Sequence, residues 1–199
     1  ITSGGIIMKH LKGTQTEKNL LVSFANESQA RSKYLFYAKV AKEEGYEQIA
    51  GFFTETADNE EEHAKLFFKY LKTGKALEIN ATFPAGRIGT TEENLDESIK
   101  LETKEANELY VEFERIAREE GFEEVANTFK EVSEVEAEHS KRFKKLLSNI
   151  KKGIVFKRDK VVKWQCRECG YIHEGKSAPE KCPACKHPQA YYQLKEENY

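Results

Sequence analysis

The sequence of 199 residues lacks any apolar run that approaches the roughly 18 residues of a membrane-spanning helix. It also lacks an excess of charge: 32 Lys and Arg stand against 34 Asp and Glu, whereas nucleic-acid-binding domains usually carry a basic excess. With 4 Pro and 12 Gly, it has too little of either for a low-complexity or collagen-like chain. These absences predict a soluble, helix-rich globular protein whose partners include neither a nucleic acid nor a membrane.

Methionine and cysteine are also scarce, with one Met and four Cys. The single Met, Met8, follows the short leader 1–7, which we expect to be an expression scar. No charged segment with a long apolar segment after it indicates a secretory signal, so the expected location is cytoplasmic. All four Cys lie within 166–185 as two CxxC pairs. Without an export signal, that pattern favours metal binding over disulfides.

An internal repeat relates the two halves of the helical region. Residues 41–50 align with residues 117–126 at an offset of 76, so that about 16–72 and 91–150 are two versions of one unit. Each unit predicts two amphipathic helices. The stretch 73–89 between them is long enough to cross a bundle from end to end. The sequence therefore predicts a mainly α fold, a four-helix bundle with one long crossover.

Acidic residues interrupt the apolar face of every predicted helix. Each helix carries one Glu there, and the second and fourth helices add a His three residues later on the same face. These residues are Glu27, Glu60, His63, Glu102, Glu136 and His139. A single Glu-x-x-His is typical of a solvated helix face, but two copies on apolar stripes at corresponding repeat positions favour a metal site.

Oxygen and imidazole ligands suit iron or manganese. We expect each Glu-x-x-His pair to hold one ion. The Glu residues of the first and third helices, Glu27 and Glu102, supply further carboxylates and can bridge the two ions. The alternative for an isolated pair is a solvated surface, which is the interpretation we give to Glu61, Glu62 and Glu138.

The repeat falls out of phase by one residue in the third helix. The offset that aligns Tyr34 with Tyr110 leaves Glu27 one residue away from alignment with Glu102. A single extra residue in a helix is commonly absorbed as a π-bulge, so we predict one close to Glu105. Glu105 has no acidic counterpart in the first half, so the two metals should not be equivalent. The two tyrosines are candidate hydrogen-bond donors to the site, with plain packing as the alternative.

The pattern changes after Gly153. Short apolar runs at 154–156 and 161–164 predict strands. Two CxxC knuckles follow, formed by Cys166, Cys169, Cys182 and Cys185. Such knuckles close a tetrahedral S₄ site that suits either zinc or a single iron, and the spacing does not decide between them. So small a segment needs its metal to fold. Its expected minimal core is aromatic: Trp164, Tyr171, Tyr191 and Tyr192.

Taken together, these segments resemble the rubrerythrin family over the whole chain from Met8 to Tyr199. The resemblance is carried by 11–19, 26–31, 60–63, 83–86, 136–139 and the two CxxC pairs. It implies a ferritin-like di-iron domain over 8–153 and a β-rich, rubredoxin-like Fe(SCys)₄ domain over 154–199. The implied di-iron ligands are Glu27, Glu60, His63, Glu102, Glu105, Glu136 and His139. The implied ligands of the mononuclear iron are Cys166, Cys169, Cys182 and Cys185.

The same resemblance implies a function. It is that of a non-haem di-iron peroxidase that reduces hydrogen peroxide to water in oxidative-stress defence. Electrons would pass through the rubredoxin-like iron from a separate NAD(P)H-dependent reductase or rubredoxin, since the chain shows no Gly-rich dinucleotide fingerprint. A homodimer or higher homo-oligomer is implied, in which the rubredoxin-like centre of one subunit serves the di-iron site of another.

Two other interpretations stay open at this point. The first is a ferroxidase or iron store, against which the cysteine module argues because storage needs no one-electron relay. The second is a bundle with a zinc ribbon for partner binding, and zinc is in any case the alternative occupant of the iron sites in an expressed protein. Metal analysis separates these interpretations, since the rubrerythrin pattern predicts about three irons per chain.

Overall fold

Helices precede a small sheet in the structure, a computed structural model that describes residues 10–198. The helices are α1 (Gln15–Glu43), α2 (Glu47–Tyr70), α3 (Thr91–Lys104), α4 (Tyr110–Glu119) and α5 (Glu123–Lys151). A π-helical segment joins α3 to α4 without a break, so the chain forms four long rods and the predicted four-helix bundle is confirmed. The leader 1–7, predicted to be an expression scar, lies outside the described residues. Within them, no helix has both the length and the hydropathy of a membrane span.

Threonine side chains begin the first and third rods. The hydroxyl of Thr14 accepts a hydrogen bond from the backbone N–H of Glu17 at 3.1 Å, and Thr90 accepts one from Glu93 at 3.3 Å. The Glu93 carboxylate accepts in return from the Thr90 N–H, which completes a capping box. In α1 the carboxylate of Glu17 reaches the N–H of Gly13 instead, at 2.7 Å. Each cap contributes about 1 kcal/mol by satisfying an otherwise unpaired donor.

Equivalent glycines end the first and third rods. Gly45 and Gly121 have φ angles of +83° and +79°, the left-handed region in which a side chain would be strained. Their N–H groups donate to the carbonyls of Lys42 and Arg118 at 3.0 and 2.9 Å. The two halves of the repeat therefore turn back in the same way and form two helical hairpins. The connection between the hairpins, 71–90, contains neither helix nor strand.

Two aromatic clusters lie towards opposite ends of the bundle, on either side of the acidic residues. Phe53 and Phe143 belong to one cluster, with ring centroids 5.2 Å apart. Phe67 and Phe129 belong to the other, also 5.2 Å apart. Burial of one such side chain contributes about 1.5–3 kcal/mol. The acidic layer therefore lies inside a scaffold that apolar packing holds on both sides.

The C-terminal segment folds as a three-stranded antiparallel sheet of order β2-β1-β3. The strands are β1 (Lys157–Cys166), β2 (Ile172–Ser177) and β3 (Tyr192–Leu194). Trp164 and Tyr192 are fully buried at its centre, as predicted, whereas Tyr171 is exposed and Tyr191 is half-buried. The small β-rich domain is thus confirmed.

The strand predicted at 154–156 is wrong. The run 161–164 lies within β1, but that strand begins only at Lys157. Phe156 instead stacks on Tyr46 at the start of α2, with the ring centroids 6.3 Å apart and the planes at 5°. The ring of Phe156 therefore contacts the bundle, while its carbonyl accepts a hydrogen bond from the N–H of Ala178, directly after β2, at 2.9 Å.

Candidate metal centres

Six acidic and imidazole side chains meet between the two aromatic clusters. They are Glu27, Glu60, His63, Glu102, Glu136 and His139, each no more than 8% exposed. Their ligand atoms form two groups of four, and within each group all the atoms lie within 4.8 Å of one another. One group contains Glu27 and His63, the other contains Glu102 and His139, and both contain Glu60 and Glu136. This is the donor set for two adjacent cations, with two carboxylates that face both positions.

The shared carboxylates are not those that the sequence suggested. The sequence suggested that Glu27 and Glu102 can bridge the two ions, but each of them belongs to only one group. Glu60 and Glu136 are shared, since each lies beside both histidines. His63 shows the arrangement: its Nδ1 lies 3.0 Å from a carboxylate oxygen of Glu60 and 3.0 Å from one of Glu136. Glu60 and Glu136 therefore each lie beside the histidine of their own rod and also reach the histidine of the other rod.

Several buried ligand atoms in this layer have no hydrogen-bond partner among the described residues. They are Oε2 of Glu27, Oε1 of Glu60, Oε2 of Glu102, both carboxylate oxygens of Glu136 and Nδ1 of His139. Nδ1 of His139 lies 2.9 Å from Oε2 of Glu136, but the two atoms do not have hydrogen-bond geometry. An uncompensated buried charge costs about 3–5 kcal/mol, so a layer of such atoms indicates bound cations. Carboxylate and imidazole donors fit two iron or manganese ions.

Protons compete with cations for this layer. Burial lowers the pKa of His63, but the neighbouring carboxylates of Glu136 and Glu60 outweigh it and raise that pKa to about 10. Burial likewise lowers the pKa of His139, and its carboxylate neighbours, led by Glu102, raise it to about 12. Burial raises the pKa of Glu102 well above its ordinary value, and the charge of Glu60 adds to the effect. Cation binding must therefore release protons from these side chains.

Two buried tyrosines donate hydrogen bonds across the bundle to the layer. The hydroxyl of Tyr34 on α1 donates to Glu102 on α3, and the hydroxyl of Tyr110 on α4 donates to Glu27 on α1. The sequence did not predict that each tyrosine donates to a Glu on another rod, because it showed only that each tyrosine follows a Glu on its own rod. Burial, followed by the charge of the accepting carboxylate, raises the pKa of both hydroxyls, which keeps them protonated as donors.

The predicted π-bulge is confirmed as a π-helical segment, Glu105–Leu109. It absorbs the extra residue, so that Glu102 and Tyr110 both face the interior of the bundle. Glu105 is only 2% exposed, and burial, followed by the charge of Glu102, raises its pKa well above the ordinary value. Its carboxylate accepts a hydrogen bond from Nδ2 of Asn26 and belongs to neither group of four. The extra carboxylate therefore lies beside the layer.

Sequence reasoning missed two asparagines at this site. Asn26 donates to Glu105, and Oδ1 of Asn59 lies 3.2 Å from Nε2 of His139. Asn26 lies in the segment 26–31 that carries the family resemblance, but neither asparagine belongs to a spacing pattern that marks it as a contact of the site. The only available hint was their position in the chain, since each directly precedes a glutamate of the layer.

The four thiols form a separate group in the C-terminal sheet domain. The Sγ atoms of Cys166 and Cys185 lie 3.7 Å apart, as do those of Cys169 and Cys182, and none of the four is in a disulfide. A tetrahedron with metal–sulfur bonds of about 2.3 Å has edges of about 3.8 Å, so the spacing fits an S₄ metal site. The residue after each knuckle, Gly170 or Lys186, has a left-handed backbone, with φ angles of +78° and +69°.

Comparison with known proteins agrees with both sites. A family model described as rubrerythrin matches residues 18–147. The chain belongs to the rubrerythrin family. A second model, the rubredoxin-like domain of rubrerythrin, matches residues 164–193. Membership means that the chain has a ferritin-like di-iron domain and a rubredoxin-like domain with four cysteines, for which iron is the implied metal, in a family of oxidoreductases.

The relatives cover nearly the full chain. Rubrerythrin of Porphyromonas gingivalis is 54% identical over 191 residues, which is 96% of this chain and 95% of that protein. Rubrerythrin of Nitratidesulfovibrio vulgaris is 53% identical and covers 94% of this chain and 97% of its own. Among solved structures, nigerythrin in a mixed-valence state has a TM-score of 0.62 at 31% identity, covering 94% of this chain and 89% of that one.

Proposed function

We propose that this protein is a peroxidase that reduces hydrogen peroxide to water at the carboxylate–histidine layer. The observation that carries the proposal is the pair of four-atom groups that share Glu60 and Glu136. Two groups that share two carboxylates can hold two metal ions close enough together to act on one small substrate. When bound there, two irons supply the two electrons that cleavage of the O–O bond requires. Two protons per peroxide complete the two waters.

The proposed ligands of the two irons are the six residues of the layer together with Glu105. Glu105 comes from the family resemblance, and its burial beside the layer supports it. The ligands proposed for a mononuclear iron are Cys166, Cys169, Cys182 and Cys185, whose spacing fits a tetrahedral site. We propose two domains, 8–153 and 154–199, to which the family matches at 18–147 and 164–193 lend support. Zinc remains the alternative occupant of these sites.

The chain itself holds the ligands in place. The hydroxyls of Tyr34 and Tyr110 donate to Glu102 and Glu27, which orients two carboxylates that have few other partners. The aromatic clusters cover the layer with apolar packing on two sides, while His139 also lines a surface cleft. In this low-dielectric setting a fixed donor acts more strongly than it would in water. Both tyrosines are therefore proposed to hold the ligand geometry while the charge of the metals changes.

Electrons are proposed to reach the layer through the cysteine site. One iron bound by four thiolates stores one electron, so each peroxide requires two deliveries. The proposed source is an NAD(P)H-dependent reductase or a rubredoxin, because the chain has no dinucleotide-binding motif of its own. A homodimer or higher homo-oligomer, in which the cysteine site of one subunit serves the layer of another, belongs to the same proposal. So do a role in oxidative-stress defence and a cytoplasmic location.

A double substitution separates the peroxidase from a ferroxidase or iron store. Cys182→Ser with Cys185→Ser is expected to abolish peroxide consumption driven by NADH and an added reductase. It should leave intact the single-turnover oxidation of the reduced layer by peroxide. Lys176→Gln, on the exposed surface of β2, is the control and should retain both reactions. Full NADH-driven turnover in the double variant would contradict the relay, and loss of peroxide oxidation at the layer in the wild type would contradict the peroxidase.

A further inference from the structure

The two histidines of the layer are held differently, although the internal repeat makes them equivalent. Nε2 of His139 lies 3.2 Å from Oδ1 of Asn59 on α2. Among residues 10–198, the ring of His63 makes polar contacts only through Nδ1, with Glu60 and Glu136. The offset of 76 that relates the two halves puts Val135 where the first half has Asn59.

An imidazole that binds a cation through one nitrogen carries a proton on the other, and that N–H needs an acceptor. Asn59 supplies one: Nε2–H of His139 donates to its side-chain oxygen, so that Nδ1 faces the carboxylates, 2.9 Å from Glu136. Val135 offers no such oxygen in the other half. Loss of an acceptor of this kind typically lowers metal affinity by about 10- to 100-fold.

The roles of donor and acceptor are consistent with the surroundings of the ring. Nδ1 of His139 faces the carboxylates of Glu60, Glu102 and Glu136 at 3.3, 3.5 and 2.9 Å, so Nε2 is the nitrogen left to carry the proton. An amide oxygen is then the matching partner for that proton. Asn59 is half-buried in the wall of a surface cleft that also includes Val135 and Glu138. A substitution there leaves the aromatic clusters intact.

We propose that Asn59 is a positioning residue that fixes the ring of His139 and makes the cation position at His139 the tighter of the two. The inference rests on the proposed function, because it requires that the layer bind two cations. The inference attributes the difference in affinity between the two cation positions to the side-chain oxygen of Asn59. The extra carboxylate of Glu105 is a separate source of asymmetry.

A cobalt titration tests the inference on the full chain with zinc in the cysteine site. Visible absorption of Co²⁺, in competition with a chelator, is expected to show two binding steps in the wild type. Asn59→Leu should weaken the tighter step by about 10- to 100-fold and leave the other within about threefold. Asn59→Asp, which keeps an acceptor oxygen, should restore the tighter step. Val135→Leu, the corresponding change in the other half, is the matched control and should alter neither step.

Proton NMR of the cobalt-loaded protein gives a second measurement that does not depend on affinity. The ring N–H of His139 should give a paramagnetically shifted signal in the wild type and in Asn59→Asp. That signal should broaden or disappear in Asn59→Leu, because an N–H without its acceptor exchanges faster with water. Unchanged binding steps in Asn59→Leu, or a failure of Asn59→Asp to restore them, would overturn the inference. Failure of the wild type to bind two Co²⁺ in the layer would instead overturn the proposed function.

Discussion

The two candidate metal sites of this protein are built in opposite ways. The carboxylate–histidine layer draws its ligands from four rods, spread along the chain from Glu27 to His139. The cysteine site draws all four of its ligands from the stretch 166–185. The layer lies between two aromatic clusters that pack without it, whereas the sheet has Trp164 and Tyr192 as its fully buried large side chains.

This contrast separates what each metal does for the fold. In the bundle, apolar packing offsets the cost of bringing carboxylates together, so the scaffold can hold a site that is costly without cations. In the C-terminal domain, the metal must replace much of the core that so short a segment cannot supply. The packing of the bundle therefore positions the carboxylate–histidine layer, whereas the metal of the cysteine site stabilises the C-terminal domain.

The largest expected effect is the loss of the C-terminal domain on removal of its metal. Stripping metal from the full chain with a chelator should unfold 157–194, because few buried side chains remain to hold the sheet. Hydrogen exchange should show loss of amide protection throughout β1 and β2, while α1 and α5 keep theirs. A sheet that kept its amide protection without metal would show that the C-terminal domain, like the bundle, does not need a metal to stay folded.

A cavity in the bundle should destabilise the bundle and leave the cysteine site unchanged. Phe53 is fully buried and contacts the rings of Tyr34, Tyr37 and Phe143, so Phe53→Ala is expected to cost about 3–5 kcal/mol. Urea unfolding followed by far-UV circular dichroism measures the loss. The thiolate absorption of the cysteine site should not change. Phe36→Ala, at a position 46% exposed, is the control and should cost less than about 1 kcal/mol.

The metal-free bundle should lose stability as the pH rises. The pKa of His63 is about 10 in the folded protein, against an ordinary value of 6.5. A raised pKa contributes stability in full below pH 6.5, and the contribution is lost as the pH rises through the folded value. The melting temperature of the metal-free protein should therefore fall by about 5–10 °C between pH 7 and pH 10. The metal-loaded protein should fall less, because cations replace the protons; equal losses would contradict this.

The smallest effect is expected at the second cysteine knuckle. Lys186 has a left-handed backbone that favours glycine, which already stands at the equivalent place after the first knuckle, Gly170. Lys186→Gly should stabilise the C-terminal domain by about 0.5–1 kcal/mol and slow the loss of its metal to a chelator. Lys181→Gly, one residue before Cys182 and with φ outside the left-handed region, serves as the control and should not stabilise. Faster metal loss in Lys186→Gly would contradict the inference that the left-handed backbone of Lys186 is strained.

Features that depend on a repeated pattern could be predicted from the sequence. The four rods follow from apolar periodicity, and the π-helical segment at Glu105 follows from the one-residue mismatch between the halves. The grouping of the thiols follows from the CxxC spacing. In each case the pattern recurs within the chain, so that chance is a weak explanation.

Features that depend on which rods are neighbours could not be predicted. Helical periodicity shows that Glu60 and Glu136 face the interior, but not that both lie beside both histidines. It shows that Tyr34 is buried, but not that its hydroxyl donates to Glu102 on another rod. Asn59 stands alone and forms no pattern. These contacts are set by the packing of the rods, about which a single sequence carries little information.

The most direct test of the account is anomalous diffraction at the iron edge from crystals of the iron-loaded protein. The account predicts three iron peaks per chain, of which two lie about 3.5–4 Å apart in the bundle. One of these should contact His63 and the other His139, with Glu60 and Glu136 beside both, and the third should lie among the four thiols. A single peak in the bundle, or peaks only at surface carboxylates, would contradict the claim that the layer holds a pair of metals.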